Sequence, residues 1–346
     1  MAANHLYLVD GSGYIFRAYH RLPPLTNRHG IPAGAVYGFT TMMWKLVNEL
    51  HDADGPTHLA VILDASARSF RNDMYDQYKA HRPPPPEDLI PQFPLIRDAV
   101  RAFSVPCIEQ EGYEADDVIA SYACAAREAG WDVTIVSSDK DLMQLVRPGI
   151  DMLDTMNDRR IGRAEVVEKF GVPPEQLGEV LALMGDSVDN VPGVRGIGPK
   201  TAAQLIQEHG TVEALLAATD SIAKPRLKQN LIDYADDARM SRKLVELVCD
   251  LALPEPLDEL TLKGMPPEPM RAFLEDQGFR SLLTKLGVTA AAAPAALPPA
   301  VEEEPPFVHK DYETVVDEAA LDRWIAEGLA CGRIAVDTET DNVDPV

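Results

Sequence analysis

Three short apolar runs in this chain each end in an aspartate, and they restrict the possible fold more than any other feature. The runs are HLYLVD at residues 5–10, HLAVILD at 58–64 and VTIVSSD at 133–139. Short apolar runs separated by segments of helical length are typical of parallel strands buried in an open α/β sheet. The carboxyl ends of such strands meet at one edge, where ligands gather. We therefore predict a mostly parallel sheet with aspartates collected along that edge.

Further acidic residues follow these runs and complete a set of nine carboxylates. The set consists of Asp10, Asp64, Glu114, Asp116, Asp117, Asp139, Asp141, Asp186 and Asp189. A cluster of unpaired acids repels itself unless divalent cations neutralise it, and Mg²⁺ prefers oxygen ligands. The set therefore predicts metal-assisted phosphate chemistry. For any single aspartate a helix cap or a solvated loop is the simpler interpretation, and only the whole set favours a metal site.

The periodicity between the acids predicts strands and helices that alternate in the βαβ manner of a parallel sheet. The predicted strands are 5–10, 57–63, 105–109 and 132–136, and the predicted helices are Tyr14–His20, 34–51, 94–103 and 115–129. The stretch 65–90 is polar, basic and aromatic and contains four consecutive prolines, so we expect an exposed excursion from the core. From about residue 163 the pattern becomes helical. Residues 290–308 are rich in Ala, Pro and Glu, which indicates a semi-rigid linker.

The net charge of −23 at first argues against a nucleic-acid partner. From Ala290 onward, however, 13 acids face three bases, and the nine predicted metal ligands account for most of the −13 on residues 1–289. Net charge describes solubility and long-range steering rather than local patches. The bases are grouped locally, at Arg68, Arg71, Lys79 and Arg82 and again at Arg195 and Lys200.

Other signals bear on the compartment of the protein. No run of about 18 or more apolar residues predicts a membrane span. The N-terminus, MAANHLYLVDG, lacks the pattern of a secretion signal. The cysteines show no CxxC spacing, which indicates buried thiols in a reducing cytoplasm rather than disulfides or a zinc site. They are Cys107, Cys124, Cys249 and Cys331.

A glycine-rich turn, VPGVRGIGPK at residues 191–200, is the second strong signal. Its three glycines permit tight backbone turns, and Pro199 suits the first position of a helix. The free N–H groups of that helix, together with Lys200, would face an anion. The pattern indicates a helix–hairpin–helix that grips a phosphate backbone without reading bases. A plain turn joining two helices is the alternative for the turn taken alone.

Five motifs, in this order, resemble the 5′-nuclease (flap endonuclease) superfamily. They are DGSGYIFRAYH, YKAHR, EADD, SSDKDLMQL and GDSVDNVPGVRGIGPKTA. The likeness is closest to the N-terminal 5′→3′ exonuclease domain of bacterial DNA polymerase I and spans residues 5 to about 289. It implies an α/β, PIN-like nuclease core at 1–175 with a helical arch near 65–90. It also implies an α-helical helix-3-turn-helix DNA-binding region at 176–289.

After the linker, residues 309–346 carry a separate likeness. The run RIAVDTET at 333–340 is similar to the first motif of 3′→5′ proofreading exonucleases, where Asp337 and Glu339 would bind metals. A surface strand is the alternative for so short a motif. Because the chain ends soon after this motif, we expect a truncated start of such a domain that cannot act as a second exonuclease.

The first resemblance also implies roles for the acids around two Mg²⁺ or Mn²⁺ ions. Asp10, Asp64 and Asp116 would hold the first ion, and Glu114 would act through a water. The second ion would be held by Asp116, Asp139, Asp141 and Asp189. Asp117 and Asp186 would be outer or weaker ligands.

The same resemblance implies roles for basic and aromatic residues. Lys79 and Arg82 would join Asp116 as catalytic residues by polarising the scissile phosphate, although a solvated charge is the alternative for Lys79. Tyr14 and Tyr78 would stack on an unpaired base, and Arg17 would contact a phosphate. The expected DNA-binding set is Tyr14, Arg17, Tyr78, Lys79, Arg82, Gly193, Arg195, Gly196, Gly198 and Lys200. We also expect a K⁺ ion at the hairpin turn.

Together these features predict a structure-selective 5′→3′ exonuclease and flap endonuclease. Its partners would be branched, nicked or flapped DNA and RNA primers, during lagging-strand maturation and repair. We expect a monomer in the bacterial cytoplasm, associated with the nucleoid and not with a membrane. A DNA-binding module that has lost catalysis is one alternative, but the acids are intact. A PIN-type ribonuclease is another, but it would lack the helix–hairpin–helix.

Overall fold

A computed structural model of the chain describes residues 4–49, 55–155, 157–287, 315 and 317–331. These residues belong to two units, Met1–Ala290 and Ala291–Val346. The predicted linker at 290–308 and the motif at 333–340, with Asp337 and Glu339, lie outside the described residues. In the second unit the described structure is one largely exposed helix, which appears below as α14.

Six strands form one sheet in the first unit, in the order β3-β2-β1-β4-β5-β6. The strands are β1 His5–Asp10, β2 His58–Ile62, β3 Cys107–Ile108, β4 Asp132–Val136, β5 Ile150–Asp154 and β6 Arg159–Ile161. All neighbours are parallel except β5 and β6, which are antiparallel. The predicted mostly parallel sheet is confirmed, and its first four strands lie where the sequence places them.

Helices of the first unit cover both faces of this sheet. They are α1 Gly11–Arg21, α2 Gly34–Glu49, α3 Phe70–Met74, α4 Gln92–Ala102, α5 Ala115–Glu128, α6 Arg163–Phe170, α7 Pro174–Met184, α8 Pro199–His209, α9 Val212–Ala217, α10 Pro225–Asp233, α11 Ala235–Leu244, α12 Pro267–Gln277 and α13 Arg280–Lys285. In the second unit, α14 spans Glu318–Cys331. Short 3₁₀ turns lie at Asp141–Leu145, Thr219–Ser221 and Leu257–Leu260. Among the described helices, none is long and apolar enough to cross a bilayer.

The apolar residues of β1 alternate between two cores, which is why the strand is apolar throughout. Leu6 and Leu8 belong to a core shared with α5 and the C-terminal helices α6 to α11. Tyr7 and Val9 belong to a second core shared with α1, α2, α4 and α12. The sheet is therefore buried on both faces, and its open surface is its carboxyl edge.

Most residues of the segment 65–90 are exposed, as the sequence predicts, but the segment differs from the helical arch that the resemblance implies. It contains one short helix, α3, followed by turns. Arg71, Tyr78 and Leu89 are buried. The four prolines at 83–86 cannot continue a helix, because proline lacks the backbone N–H and clashes with the preceding turn. The segment therefore folds back onto the core near the carboxyl edge of the sheet.

Candidate active site

The carboxyl ends of three neighbouring strands bring three predicted acids to one edge. In the sheet register Val9 of β1 lies beside Val61 of β2 on one side and Val136 of β4 on the other. Asp10, Asp64 and Asp139 follow these paired positions by one to three residues. The parallel register therefore places acids that are distant in sequence on the same rim, as the apolar runs predicted.

Asp10 ends β1 and caps the helix that follows it. The Gly13 amide donates to its Oδ1 at 3.1 Å, and the Ser137 hydroxyl donates to its Oδ2 at 2.9 Å. The side chain is 8% exposed. Burial raises the pKa of Asp10 to about 6 although both hydrogen bonds oppose that change, and the charges of Asp139 and Asp64 raise it further. Asp10 is thus a buried carboxylate whose ionised form is disfavoured by burial and by two neighbouring acids.

Asp64 and Asp116 meet at the start of α5. The amide of Ala115 donates to Asp64 Oδ1 at 2.8 Å, and the Ser12 hydroxyl donates to its Oδ2 at 2.8 Å. Asp116 lies in the first turn of α5, where the helix dipole favours acids. Burial raises the pKa of Asp116 well above its usual value, and the charges of Asp139, Asp10 and Asp64 add to the effect.

Glu114 precedes α5 and is held by several donors. Ser69 Oγ and Tyr78 Oη donate to its two carboxylate oxygens at 3.0 and 3.2 Å. Lys79 Nζ lies 2.9 Å from Oε2, and an Arg71 nitrogen lies 3.7 Å away. Burial opposes ionisation, but the charges of Lys79 and Arg71 lower the pKa of Glu114 overall. Glu114 is therefore a compensated carboxylate, unlike Asp10 and Asp116.

Asp117 does not lie free to bind a metal. Arg71 donates to both of its carboxylate oxygens, at 2.6 and 2.8 Å, and the amides of Glu114 and Val248 also donate to it, at 3.2 and 3.1 Å. Asp117 is fully buried. The resemblance implies an outer or weaker ligand at this position. In the structure its oxygens accept these four hydrogen bonds, and Asp117 fixes the first turn of α5.

On the other side of the cleft, Lys140 pairs with the acids that follow β4 and α7. Its ammonium group donates to Asp186 Oδ2 and lies 3.7 Å from Asp141. Burial and the charge of Asp139 raise the pKa of Asp141 to about 6. The other oxygen of Asp186 accepts the amides of Val188 and Asp189, at 2.7 and 3.2 Å. Asp186 therefore orders the loop that carries Asp189.

Lys79 and Arg82 hold the segment 65–90 against that loop. Arg82 Nη2 donates to Asp189 Oδ1, and Lys79 Nζ lies 4.0 Å from Oδ2. The Lys79 amide donates to the Asp189 carbonyl oxygen at 2.8 Å. Lys79 adopts a left-handed backbone conformation with φ of 55°, which is strained for a residue with a side chain. Both predicted catalytic cations therefore lie at the acidic rim, paired with acids.

The chemistry of the acid set suits divalent cations, but the side chains do not yet form a coordination shell. In the part of the chain that the structure describes, no three acidic, histidine or cysteine side chains converge closely enough to hold one ion. Burial and the charges of neighbouring acids together raise the pKa values of Asp10, Asp116 and Asp141. Hard oxygen donors of this kind fit divalent cations such as Mg²⁺ or Mn²⁺.

A cavity of about 120 Å³ opens beside Asp10 and Asp139, and Tyr14 and Arg17 line it. Tyr14 is 4% exposed, and its hydroxyl is 2.8 Å from Thr155 Oγ1. Its predicted stacking on a base does not agree with this arrangement, because its ring packs in the core. Arg17 does reach the cavity, as a phosphate contact would require.

The predicted stacking of Tyr78 on a base is corrected in the same way. Tyr78 is 4% exposed, its hydroxyl donates to Glu114, and Lys79 Nζ lies 5.1 Å from its ring centroid. Tyr78 therefore helps to position the side chains of Lys79 and Glu114. Its aromatic type in a basic stretch suggested a base contact, and the sequence carried no signal of its burial.

The predicted DNA-binding glycines in the hairpin between α7 and α8 differ in their surroundings: Gly193 is packed against backbone, whereas Gly198 is open to solvent. A Cβ on Gly193 would lie 2.5 Å from the Gly185 amide nitrogen, and the Gly193 amide donates to Ser241 Oγ at 2.8 Å. Gly193 is therefore a packing residue rather than a surface for DNA, which corrects its predicted role. Gly198 has open space where a Cβ would be. It precedes α8, whose first turn carries the exposed Lys200.

The other hairpin residues remain at the surface. Arg195 is exposed, and its carbonyl oxygen accepts Asn230 Nδ2 at 2.7 Å. Gly196 adopts φ of 82° and is exposed. The hairpin thus presents Arg195, Gly196, Gly198 and Lys200 to solvent around the start of α8.

Three supporting residues were missed from the sequence. Lys140 balances Asp186 and Asp141, and the hydroxyls of Ser12 and Ser137 orient Asp64 and Asp10. Lys140 stands within the motif SSDKD, so a lysine between two rim acids was a signal that could have found it. The serines carried no such signal, because serine is common in loops.

Two family profiles match most of the first unit. One, described as "5'-3' exonuclease, N-terminal resolvase-like domain", matches residues 5–171. The other, described as "5'-3' exonuclease, C-terminal SAM fold", matches residues 172–268. These matches agree with the α/β sheet followed by a helical region.

Proteins with similar sequences include DNA polymerases I and 5'-3' exonucleases. DNA polymerase I of Rhizobium leguminosarum is 44% identical over 99% of this chain and 40% of the relative. The 5'-3' exonuclease of Aquifex aeolicus (strain VF5) is 37% identical over 81% of this chain and 94% of the relative. The chain thus spans about two fifths of the length of that DNA polymerase I.

The fold is also shared with a solved structure. The bacteriophage T5 D15 flap endonuclease, in a pseudo-enzyme-product complex with DNA and metal ions, superposes with a TM-score of 0.58. The match covers 80% of this chain and 100% of that chain at 23% identity, and it supports the fold alone.

Proposed function

The chain belongs to the 5′-3′ exonuclease family, and we propose that it hydrolyses phosphodiester bonds in flapped, nicked and otherwise branched DNA from the 5′ side. Membership makes it a nuclease by class. The observation that carries the proposal is the meeting of Asp10, Asp64 and Asp116 at one sheet edge, two of them with raised pKa values. The segment with Lys79 and Arg82 lies over the same edge and can bring cations to a phosphate there.

We propose two divalent cations, Mg²⁺ or Mn²⁺, as cofactors. Bound cations supply a nucleophilic water near neutral pH and neutralise charge that develops on the phosphate. Their proposed ligands, by likeness to the family, are Asp10, Asp64 and Asp116 for one ion, Asp116, Asp139, Asp141 and Asp189 for the other, with Glu114 acting through a water and Asp186 outside. Within this set Asp116 is shared, because it interacts with both Asp10 and Asp139.

Lys79 and Arg82 would exchange their carboxylate partners for the phosphate of the substrate. Lys79 already lies at the junction of Glu114 and Asp189, the two sides of the cleft. A cation placed there would orient the scissile phosphate and stabilise the charge of the transition state. Arg17, in the cavity beside Asp10, would hold a neighbouring phosphate.

The hairpin would hold the duplex part of the substrate. Its proposed contacts are the free amides at the start of α8, Lys200 and Arg195, with Gly196 and Gly198 permitting close approach and a K⁺ ion at the turn. Contacts of this kind hold the phosphate backbone and carry no sequence information. We propose 1–175 as the nuclease core and 176–289 as the DNA-binding region.

In the cell, the proposed role is primer removal, including RNA primers, during lagging-strand maturation and DNA repair. The relatives that suggest it are DNA polymerases I, of which this chain resembles one part. We further propose that the chain acts as a monomer in the bacterial cytoplasm, close to the nucleoid.

Cleavage of end-labelled flap, nicked and single-stranded DNA, with Mg²⁺ or with EDTA, tests the proposal. We expect Mg²⁺-dependent cleavage near the branch of the flap and little cleavage of single strands. The inactive control is Asp116→Asn, and the matched control is Asp73→Asn, an exposed acid in the segment 65–90. Tight flap binding without cleavage in any divalent metal would indicate a binding module. Cleavage confined to single-stranded RNA would indicate a ribonuclease of the PIN type.

A further inference from the structure

The segment that follows α11 is hydrogen-bonded to α5, and it contains Cys249. The Ser121 hydroxyl on α5 donates to the Val248 carbonyl oxygen at 2.9 Å and accepts the Leu251 amide at 3.2 Å. Cys249 lies between these two fastened positions. Cys124 lies one helical turn after Ser121, on the same side of α5. This places Cys249 beside the turn of α5 that carries Cys124, and both thiols are free.

The two thiols differ in exposure and in charge. Cys124 is 8% exposed, and its sulfur accepts a hydrogen bond from Arg147 Nη2 at 3.2 Å. The pKa of the Cys124 thiol is lowered to about 6. The interaction with the Cys249 thiol has the largest effect, and the Arg147 guanidinium adds to it. The thiol of Cys249 is exposed, and its pKa is raised by the same pairing. Because the Arg147 guanidinium donates to the Cys124 sulfur and so favours its thiolate, which is the reactive form, Cys124 is the nucleophile and Cys249 the resolving thiol.

We propose that Cys124 and Cys249 form a peroxide-reactive pair that closes to a disulfide between α5 and the segment after α11. The oxidant is a small hydroperoxide, because Cys124 is only 8% exposed and a larger oxidant would not reach it. This modification is separate from phosphodiester hydrolysis and needs neither a metal nor DNA.

The chemistry proceeds in two balanced steps. The Cys124 thiolate attacks one peroxide oxygen, so an S–O bond forms, the O–O bond breaks, and the departing hydroxide takes a proton to become water. The Cys249 sulfur then attacks the sulfenic sulfur, so the S–S bond forms, the S–O bond breaks, and a second water leaves with the Cys249 proton. The two thiols lose two electrons and the peroxide gains them. A dithiol reductant reverses the crosslink by exchange.

The crosslink would hold the segment 244–251 on the helix whose first turn carries Asp116. It closes a long loop of chain, and a disulfide that closes a long loop disfavours the unfolded state most. The oxidised protein should therefore melt at a higher temperature than the reduced protein.

The test is oxidation of the reduced full chain with hydrogen peroxide, followed by alkylation, digestion without reductant and mass spectrometry. We expect a linked Cys124–Cys249 peptide, the loss of two alkylatable thiols per chain, and a rise in Tm of about 5 °C or more. Dithiothreitol should reverse all three changes. The double variant Cys107→Ser/Cys331→Ser should behave as the wild type does.

Two single variants separate the roles of the thiols. Cys249→Ser should stop at a sulfenic acid on Cys124 that a 1,3-diketone traps, and Cys124→Ser should slow oxidation of Cys249 at least about tenfold. Absence of the linked peptide from the folded wild type, or linkage of another pair, would overturn the proposal. Oxidation of Cys249 at the wild-type rate in Cys124→Ser would overturn the assignment of the nucleophile.

Discussion

The guanidinium of Arg71 donates to both carboxylate oxygens of Asp117, at 2.6 and 2.8 Å, and the two side chains are 2% and 0% exposed. Arg71 also donates to the carbonyl oxygens of Leu244 and Glu246. This one side chain therefore joins the segment 65–90, the start of α5 and the segment after α11. The acids of the rim depend on it, because Asp117 fixes the turn that carries Asp116.

We expect Arg71→Ala to lower the free energy of unfolding by about 3–5 kcal/mol, because it leaves a buried carboxylate without its partner. Arg68→Ala is the matched control: its side chain is 76% exposed, and its loss should change stability by about 0.5 kcal/mol or less. Urea denaturation of both variants measures the difference. Similar, small losses in the two variants would show that Asp117 is not held by Arg71.

The pair of Arg71 and Asp117 could not be predicted from the sequence. Arg71 was predicted in an exposed basic stretch, since its neighbours are polar and four prolines follow. Its partner Asp117 is 46 residues away, and the carbonyl groups that it reaches are more than 170 residues away. No local pattern reports such contacts. The sequence predicted Asp10, Asp64 and Asp139 because each ends an apolar run, but it did not predict that Arg71 holds Asp117.

Secondary structure could be predicted from the sequence wherever burial gave the apolar residues a regular pattern. The strands β1, β2 and β4 were predicted because they are apolar on both faces. The strand β5 was missed, since IDMLD alternates between buried and half-buried residues and is short. The helix α1 begins earlier than predicted, at Gly11, because Asp10 caps it directly.

Two glycines of the hairpin should respond differently to alanine. Gly193→Ala should lower the free energy of unfolding by about 2–4 kcal/mol, because φ is 62° and the added Cβ meets the backbone of Gly185 at 2.5 Å. Gly198→Ala should leave stability within about 0.5 kcal/mol, since φ is −97° and the space is open.

Gly198→Ala should nevertheless weaken duplex binding, because the new methyl group occupies the approach to the amides of α8. Thermal or chemical unfolding and a DNA titration, run on the same preparations, check both statements. A stable Gly193→Ala variant, or a Gly198→Ala variant with unchanged duplex affinity, would contradict the division of the hairpin into packing and contact glycines.

The rim acids should make the metal-free protein less stable as pH rises. Asp10 has a folded pKa of about 6 against an ordinary value of 3.8, so the folded state binds more protons between these values. The stabilisation is complete below about pH 4 and is lost as pH rises through about 6. Asp10→Asn should thus gain about 3 kcal/mol relative to the wild type between pH 4 and pH 7 in EDTA.

Denaturation at a series of pH values with and without Mg²⁺ measures this difference. The gain should shrink when Mg²⁺ is present, because bound cations would neutralise Asp10 in the wild type. Asp73→Asn, an exposed control, should track the wild type at every pH. A difference between wild type and Asp10→Asn that is independent of pH would show that Asp10 ionises at an ordinary pKa.

Lys79→Ala should separate chemistry from binding. We expect the single-turnover cleavage rate to fall about 10²- to 10³-fold, because a cation at the scissile phosphate acts mainly on the transition state. Flap-DNA affinity should fall no more than about threefold, since most phosphate contacts remain. Rapid-quench kinetics and a binding titration in Ca²⁺ measure the two effects. Equal losses of rate and affinity would make Lys79 an ordinary backbone contact.

Lys200→Ala tests whether the hairpin binds the phosphate backbone of the duplex independently of base sequence. Removing one phosphate contact should weaken binding to the same degree for any duplex sequence and make the slope of log K against log salt shallower by about 0.9. Cleavage of short single strands, which do not reach the hairpin, should change little. Lys285→Ala, an exposed lysine on α13, is the control and should leave the slope unchanged. An unchanged slope in Lys200→Ala, or a loss that depends on base sequence, would show that the start of α8 does not hold the phosphate backbone.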